Sequence, residues 1–237
     1  MKRSLIFRFV VFVHIFVVSF ALLPCKACCG ELSDSPVVVF STSMGEFKVE
    51  LDREKAPITV DNFLKYVESE FYRQTIVHEV LKGPNKLIIG GMYDTELVEK
   101  EPSLPPIRNE APQTRSNVRG TISMARKQND ANSATSSFFI NAMDNLVLDY
   151  ILKEDDIYDP DKFGYCVFGR VISGMEVVDA ICQVAVSLQG DLPYCPIEKV
   201  VIHSIKKQVP PRCVKRWKPG GRAIFRGRLR SVLNKVK

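Results

Sequence analysis

Between Val37 and Ile205 the chain is built from short apolar runs, alternating with polar residues and separated by turn chemistry. "PVVVFSTSMGEFKVELD" has the form of a hairpin. Val37–Ser41 and Glu46–Leu51 are β-branched or alternating, and Ser43-Met44-Gly45 supplies the turn. "APITVDNFLKYVESE" has helical spacing instead. Val60, Phe63, Leu64 and Val67 share one face, Thr59 is placed to cap, and Pro57 comes just before the helix. "VHEVLKGPNKLIIGG", Val77 to Gly91, reads as two strands turning at Gly83-Pro84-Asn85. Residues 94–117 are polar and proline-rich, the composition of an irregular surface loop. "VRGTISMAR", "SSFFINA" and "FGYCVFGRVI" then read as buried strands. "GMEVVDAICQV" is a short helix with Val177, Val178, Ile181 and Val184 at helical spacing, and "IEKVVIHSIKK" alternates as a closing strand. Many short strands and two helices far apart predict a mainly β fold, a closed antiparallel barrel capped by two α-helices.

Charge divides the 237 residues differently. Residues 206–237 hold twelve basic residues and no acid, while all 27 acids lie in 27–205, giving that middle segment a net charge of about −10. The basic end, "RWKPGGRAIFRGRLRSVLNKVK", places Ile224, Phe225, Leu229, Val232, Leu233 and Val236 on one helical face. A basic amphipathic helix suited to acidic surfaces or membranes and a solubilising tail are both consistent with 207–237. At the other end, "MKRSLIFR" is positive and "FVVFVHIFVVSFALL", Phe9 to Leu23, is apolar over 15 residues. That is short for a spanning helix, which needs about 20 residues. Residues 1–29 therefore read as a signal peptide cut near Ala27 or Gly30, with a signal anchor as the alternative. Either form sends the remainder to the secretory pathway: endoplasmic reticulum lumen, endomembrane system or exterior, or a lumenal domain on a membrane anchor. Cys25, Cys28 and Cys29 sit at the processing site. For Cys182 and Cys195, a bridge and buried free thiols both stay open.

Candidate chemistry is sparse. His78 and Glu79 stand side by side in a chain with three histidines. On a regular strand, neighbours point to opposite faces, so an acid–base pair is disfavoured. There is no G-x-S-x-G, no metal-ligand spacing and no phosphate-binding glycine loop. No cofactor, metal or nucleic acid is called for, and a monomer is expected.

The phrases "KAPITVDNFLKYV", "IIGG", "RNEAPQTRSNVRGTISMAR", "NSATSSFFIN" and "FGYCVFGRVISGMEVVDAI", in this order, resemble the cyclophilins, the peptidyl-prolyl cis–trans isomerases. "RGTISMAR" and "SSFFIN" look closest to the bacterial-type branch. The resemblance covers 36–206 and implies an eight-stranded barrel with a helix at each end. It implies isomerisation of X–Pro bonds in client proteins, through an arginine that donates toward the imide nitrogen, a glutamine that steadies the substrate, and an apolar proline pocket.

Carried over by position, the match is mixed. His78 fits the family histidine, but Glu79 stands where the arginine is expected. Counting back from Gly90-Gly91 requires a two-residue insertion near Lys82-Gly83 and places Lys86, Leu87 and Ile89 on the family's Phe, Met and Gln. Met124 and Ala125 fall on the substrate-contacting strand, Phe139 on the pocket floor and Leu148 on the pocket leucine. Ser137 replaces a glutamine and Val147 an aromatic. The insertion "ILKEDDIYDPDK" remodels the loop of a second pocket histidine, near which Tyr150 is placed. An ionised carboxylate accepts hydrogen bonds and cannot donate them. The expectation is therefore weak or absent isomerase activity unless Arg126 or Lys86 pairs with Glu79 and takes over. A silent domain that binds proline peptides or acts as a scaffold is the alternative.

Overall fold

The computed structural model describes residues 35–151 and 163–209. The proposed signal segment, nearly all of the insertion after Tyr150, and the basic tail lie outside the described residues. Strand β1 (Val37–Thr42) turns through Gly45, at φ +129°, into β2 (Gly45–Leu51). Helix α1 (Pro57–Glu68) follows, then β3 (Thr75–Leu81) and β4 (Leu87–Asp94). After a long loop come β5 (Thr121–Met124), β6 (Phe138–Asn141), β7 (Val167–Ser173) and α2 (Met175–Ile181). A separate hairpin, β8 (Val186–Gln189) and β9 (Leu192–Pro196), precedes β10 (Val200–Lys207).

Eight strands close a barrel in the order β1-β10-β3-β4-β6-β5-β7-β2, every pairing antiparallel. The alternation seen in sequence is the reason it closes around a core. Val80, Ile88, Ile140 and Ile122 lie in one row across β3, β4, β6 and β5, and all four are buried in the core cluster. The barrel is plugged by aromatics: Phe63 of α1 meets Phe40, Phe138, Phe168 and Tyr72 at centroid distances of 5.1–6.3 Å. The two helices sit at opposite ends of β2. Glycine is required at 174, where a Cβ would come within 2.7 Å of Phe47, so the turn before α2 packs on the start of β2. Helix α1 begins six residues beyond the end of β2.

Three details depart from the sequence expectations. Pro57 is the first residue of α1 rather than a residue ahead of it, and Thr59 does not cap it. The cap comes from the long loop: the buried Glu110 carboxylate accepts from the backbone N–H groups of Ile58 (3.2 Å) and Thr59 (2.8 Å) and from the Thr59 hydroxyl (2.7 Å). A carboxylate at a helix N-terminus satisfies otherwise orphaned donors and complements the helix dipole. The stretch between Cys182 and Cys195, given no element from sequence, holds the β8–β9 hairpin, and of the two readings open for these cysteines the structure has buried free thiols. Cys166 is likewise free and buried, with its thiol pKa pushed up to about 12, chiefly by burial.

Candidate functional site

The outer face of the barrel is one residue out of step with the core row. Glu79 of β3 pairs with Ile89 of β4, Ile89 with Phe139 of β6, and Phe139 with Ser123 of β5. Directly paired residues share a face, so these side chains form a strip pointing away from the core. Gly91, at φ +88°, holds β4 close to the plug, since a Cβ there would lie 2.8 Å from Phe138 and Tyr72.

His78 interrupts the β3–β4 register. Val77 pairs with Gly90 and Glu79 with Ile89, so His78 is the extra residue of a β-bulge. The expectation that His78 and Glu79 point to opposite faces does not hold, because the bulge re-aims the strand. Both line one cleft of about 670 Å³, together with Ile89, Ala125, Arg126 and Ser137. Their chemistry is still not that of an acid–base pair. His78 is 5% exposed and packs its ring 4.9 Å from that of Tyr93. Burial lowers its pKa to about 4, opposed by a hydrogen bond with the Ile76 backbone, so the imidazole is neutral near pH 7. Its Nδ1 is buried without a hydrogen-bond partner. Glu79 is half-buried, its pKa raised by desolvation. No ion pair or hydrogen bond links the Glu79 carboxylate to any described residue, and the pairing with Arg126 or Lys86 is not formed.

Arg126 is held elsewhere. Its guanidinium donates to the carbonyls of Gly164 (3.1 Å), Lys127 (3.0 Å) and Gln128 (2.9 Å). It also lies over the Tyr165 ring, 4.6 Å from the centroid, and Tyr165 meets Phe139 edge-on at 5.4 Å. Tyr165 is thus the aromatic beside Phe139. Tyr150, expected from sequence near the remodelled loop of the second pocket histidine, packs on Phe163. The signal was available in "YCVFGR", two residues ahead of a strand whose start is well marked, but the intervening insertion obscured the count.

The other candidates separate into two environments. Leu87 is buried on the outer side of β4, and the half-buried Leu148 is tied to Tyr165 by the Tyr165 N–H to Leu148 carbonyl bond of 2.9 Å. Ala125 donates its N–H to the Ser137 carbonyl at 2.9 Å, and the Ser137 hydroxyl lies 3.3 Å from the Gly90 carbonyl. Met124 is different. It pairs with Phe138 and is buried in the core, so the expectation that its side chain touches substrate is corrected. The reason is parity: Ser123 takes the outer position on β5. Val147 is 70% exposed, and Lys86 is half-exposed, with its carbonyl accepting from the Ala142 N–H and the Asn145 side-chain amide.

Residues 37–207 match the family model of the cyclophilin-type peptidyl-prolyl cis–trans isomerases. The chain belongs to the cyclophilin family. Among curated relatives, peptidyl-prolyl cis–trans isomerase A of Dickeya dadantii is 43% identical over 169 residues, covering 71% of this chain and 83% of that one. Peptidyl-prolyl cis–trans isomerase B of Escherichia coli is 40% identical over 169 residues, covering 71% of this chain and 98% of that one. Among solved structures, a Cryptosporidium parvum cyclophilin-type isomerase crystallised in the presence of the dipeptide Ala-Pro superposes with a TM-score of 0.58 at 24% identity. That match covers 73% of this chain and 99% of the other, and shows the shared fold. The cyclophilin barrel is therefore present, and the Glu79 carboxylate stands on its outer strip.

Proposed function

We propose that this cyclophilin binds proline-containing segments of client polypeptides along the outer strip and catalyses X–Pro isomerisation only weakly. The observation that carries the reading is the row Glu79–Ile89–Phe139, which continues to Tyr165. Rotation about an X–Pro bond is slow because amide resonance sets a barrier of about 18–20 kcal/mol. A catalyst needs no nucleophile or metal for it. It needs an apolar seat for the ring and a donor that stabilises the twisted imide. Phe139, with Tyr165 and Leu148 at its side, supplies the seat. Glu79 supplies an acceptor where a donor is wanted, and loss of one positioned donor costs about 10²–10³ in rate. The Arg126 guanidinium is positive and close to Tyr165, but its backbone contacts hold it in place.

The decisive experiment is a protease-free measurement of cis-to-trans relaxation on an X–Pro peptide. A small rate enhancement that disappears in Phe139→Ala supports the reading. A rate enhancement unaffected by Phe139→Ala sinks the assignment of the seat. Complete absence of enhancement, with retained peptide binding, favours the second reading, a silent proline-peptide binder or scaffold. That reading draws support from the same Glu79 carboxylate. The basic and apolar N-terminus supports a secretory-pathway location as part of this proposal. A tagged full-length chain found in the cytosol, unprocessed and away from membranes, would remove that part.

A further inference from the structure

A buried polar cluster lies where β5 and β6 meet the turn before the insertion. Asn117, Ser123 and Asn141 have no exposed surface, and Asn145 is nearly as buried. One side chain joins them. The Asn117 Oδ1 accepts from the Ser123 hydroxyl at 2.7 Å and from the Asn141 side-chain amide at 3.3 Å. Its Nδ2 donates to the Asp149 carboxylate at 2.9 Å and to the Leu148 carbonyl at 3.1 Å, with the Tyr165 carbonyl further off at 3.4 Å. The Asn117 N–H also donates to Asp149, at 2.6 Å, and its carbonyl accepts from the Asn145 N–H at 2.8 Å. Every polar group of Asn117 is engaged.

The partners flank Phe139 on two sides. Ser123 is its cross-strand neighbour on β5, and Tyr165 meets its ring edge-on at 5.4 Å. Leu148 and Tyr165 are separated in sequence by the insertion, and Asn117, from a third segment, bonds to both. Stability alone does not call for an amide here. Apolar groups of matching shape can replace a buried hydrogen-bonded pair at little cost. A fully satisfied polar network supplies a single fixed arrangement instead.

We propose that Asn117 is a positioning residue for the proline seat, fixing Tyr165 and Leu148 against Phe139. Having no exposed surface, it does this without touching the bound segment. The proposal rests on the binding of proline segments at that seat, and it names the side chain that holds the seat's walls together.

The test uses the full chain and has two readouts. The first is calorimetric titration with an X–Pro peptide, in a double-mutant cycle of Asn117→Ala with Tyr165→Ala. Residues of one network are non-additive, so Asn117→Ala should weaken binding about tenfold in the parent and about twofold or less once Tyr165 is removed. Val38→Ala controls for lost stability, since it opens a cavity in β1, across the barrel from β6, and should leave affinity unchanged. The second readout is aromatic NMR of the free protein. The Tyr165 ring resonances should move toward those of an unstacked tyrosine in Asn117→Ala and stay in place in Val38→Ala. Equal losses of affinity in the two backgrounds overturn the proposal, as do unmoved ring resonances or an equal loss of affinity in Val38→Ala. If Asn117→Ala does not fold, Asp149→Asn replaces it: the milder change should move the same resonances less far, and no movement overturns the proposal. If no peptide binds the parent, the proline-binding reading falls, and the ring resonances still decide whether Asn117 positions Tyr165.

Discussion

Two carboxylates in this molecule make opposite use of burial. Glu110 is buried among donors: three groups of α1 converge on it, two of them backbone N–H groups at a helix N-terminus. Glu79 is half-buried on a barrel strand, where backbone hydrogen bonds are spent on the ladder and no donor among the described residues reaches its side chain. The first ties the long loop to the fold and stabilises it. The second is a cost to the fold, and its pKa is raised for that reason. A buried charge met by donors stabilises architecture, while one without them costs desolvation free energy.

The largest effect expected from breaking this contrast is at Glu110. Glu110→Ala leaves the donors of Ile58 and Thr59 without a partner, and hydrogen bonds to charged groups contribute about 1.5–3 kcal/mol each. A loss of roughly 3 kcal/mol or more, read as a lower urea midpoint, is expected. A variant as stable as the parent would mean that the cap is incidental.

Next in size is the pH response of His78. The unfolded chain takes up the imidazole proton near pH 6.5, the folded chain at about 4. Between those values the unfolded state binds more protons, so stability is full above pH 6.5 and falls as pH drops toward 4. The gap corresponds to up to about 3 kcal/mol. Urea melts at pH 7 and pH 4.5 should show much of this loss in the parent and little of it in His78→Gln. Equal slopes in the two proteins would remove His78 as the source.

A smaller change is expected in catalysis. Glu79→Arg turns the acceptor into a donor and should raise the isomerisation rate by about tenfold or more. No gain would shift responsibility to Ile89, Lys86 and Val147. The smallest effect is on stability in Glu79→Gln. Because desolvation raises the Glu79 pKa, its charge disfavours the folded state above the ordinary carboxylate range. The amide should raise the thermal midpoint slightly at pH 7 and leave it unchanged at pH 4. A midpoint lowered at pH 7 would show that the carboxylate has a partner after all.

How much of this could be read from the chain varies from residue to residue. The hairpin of β1 and β2 and helix α1 follow from local alternation and spacing, and the structure has them within a residue or two at each end. The β8–β9 hairpin escaped because its strands are only four and five residues long, too short to show a period. The Thr59 cap was a sound local guess overturned by a residue 51 positions away. Tyr165 was missed because an insertion lies between it and Asp149, and counting along the chain cannot cross a loop of unknown path.

By itself the sequence determined the barrel, its two helices, the acidic charge of the domain and the presence of a glutamate beside His78. Those are properties of periodicity and composition, which act along the chain. Tertiary structure alone decided that His78 is a bulge, that it and Glu79 open on the same cleft, that Met124 faces inward, and that Arg126 lies over Tyr165 rather than against Glu79. Each of these depends on register with a partner strand or on a donor brought from far away. A strand's own residues set which positions alternate, but only its neighbours set which face each position takes.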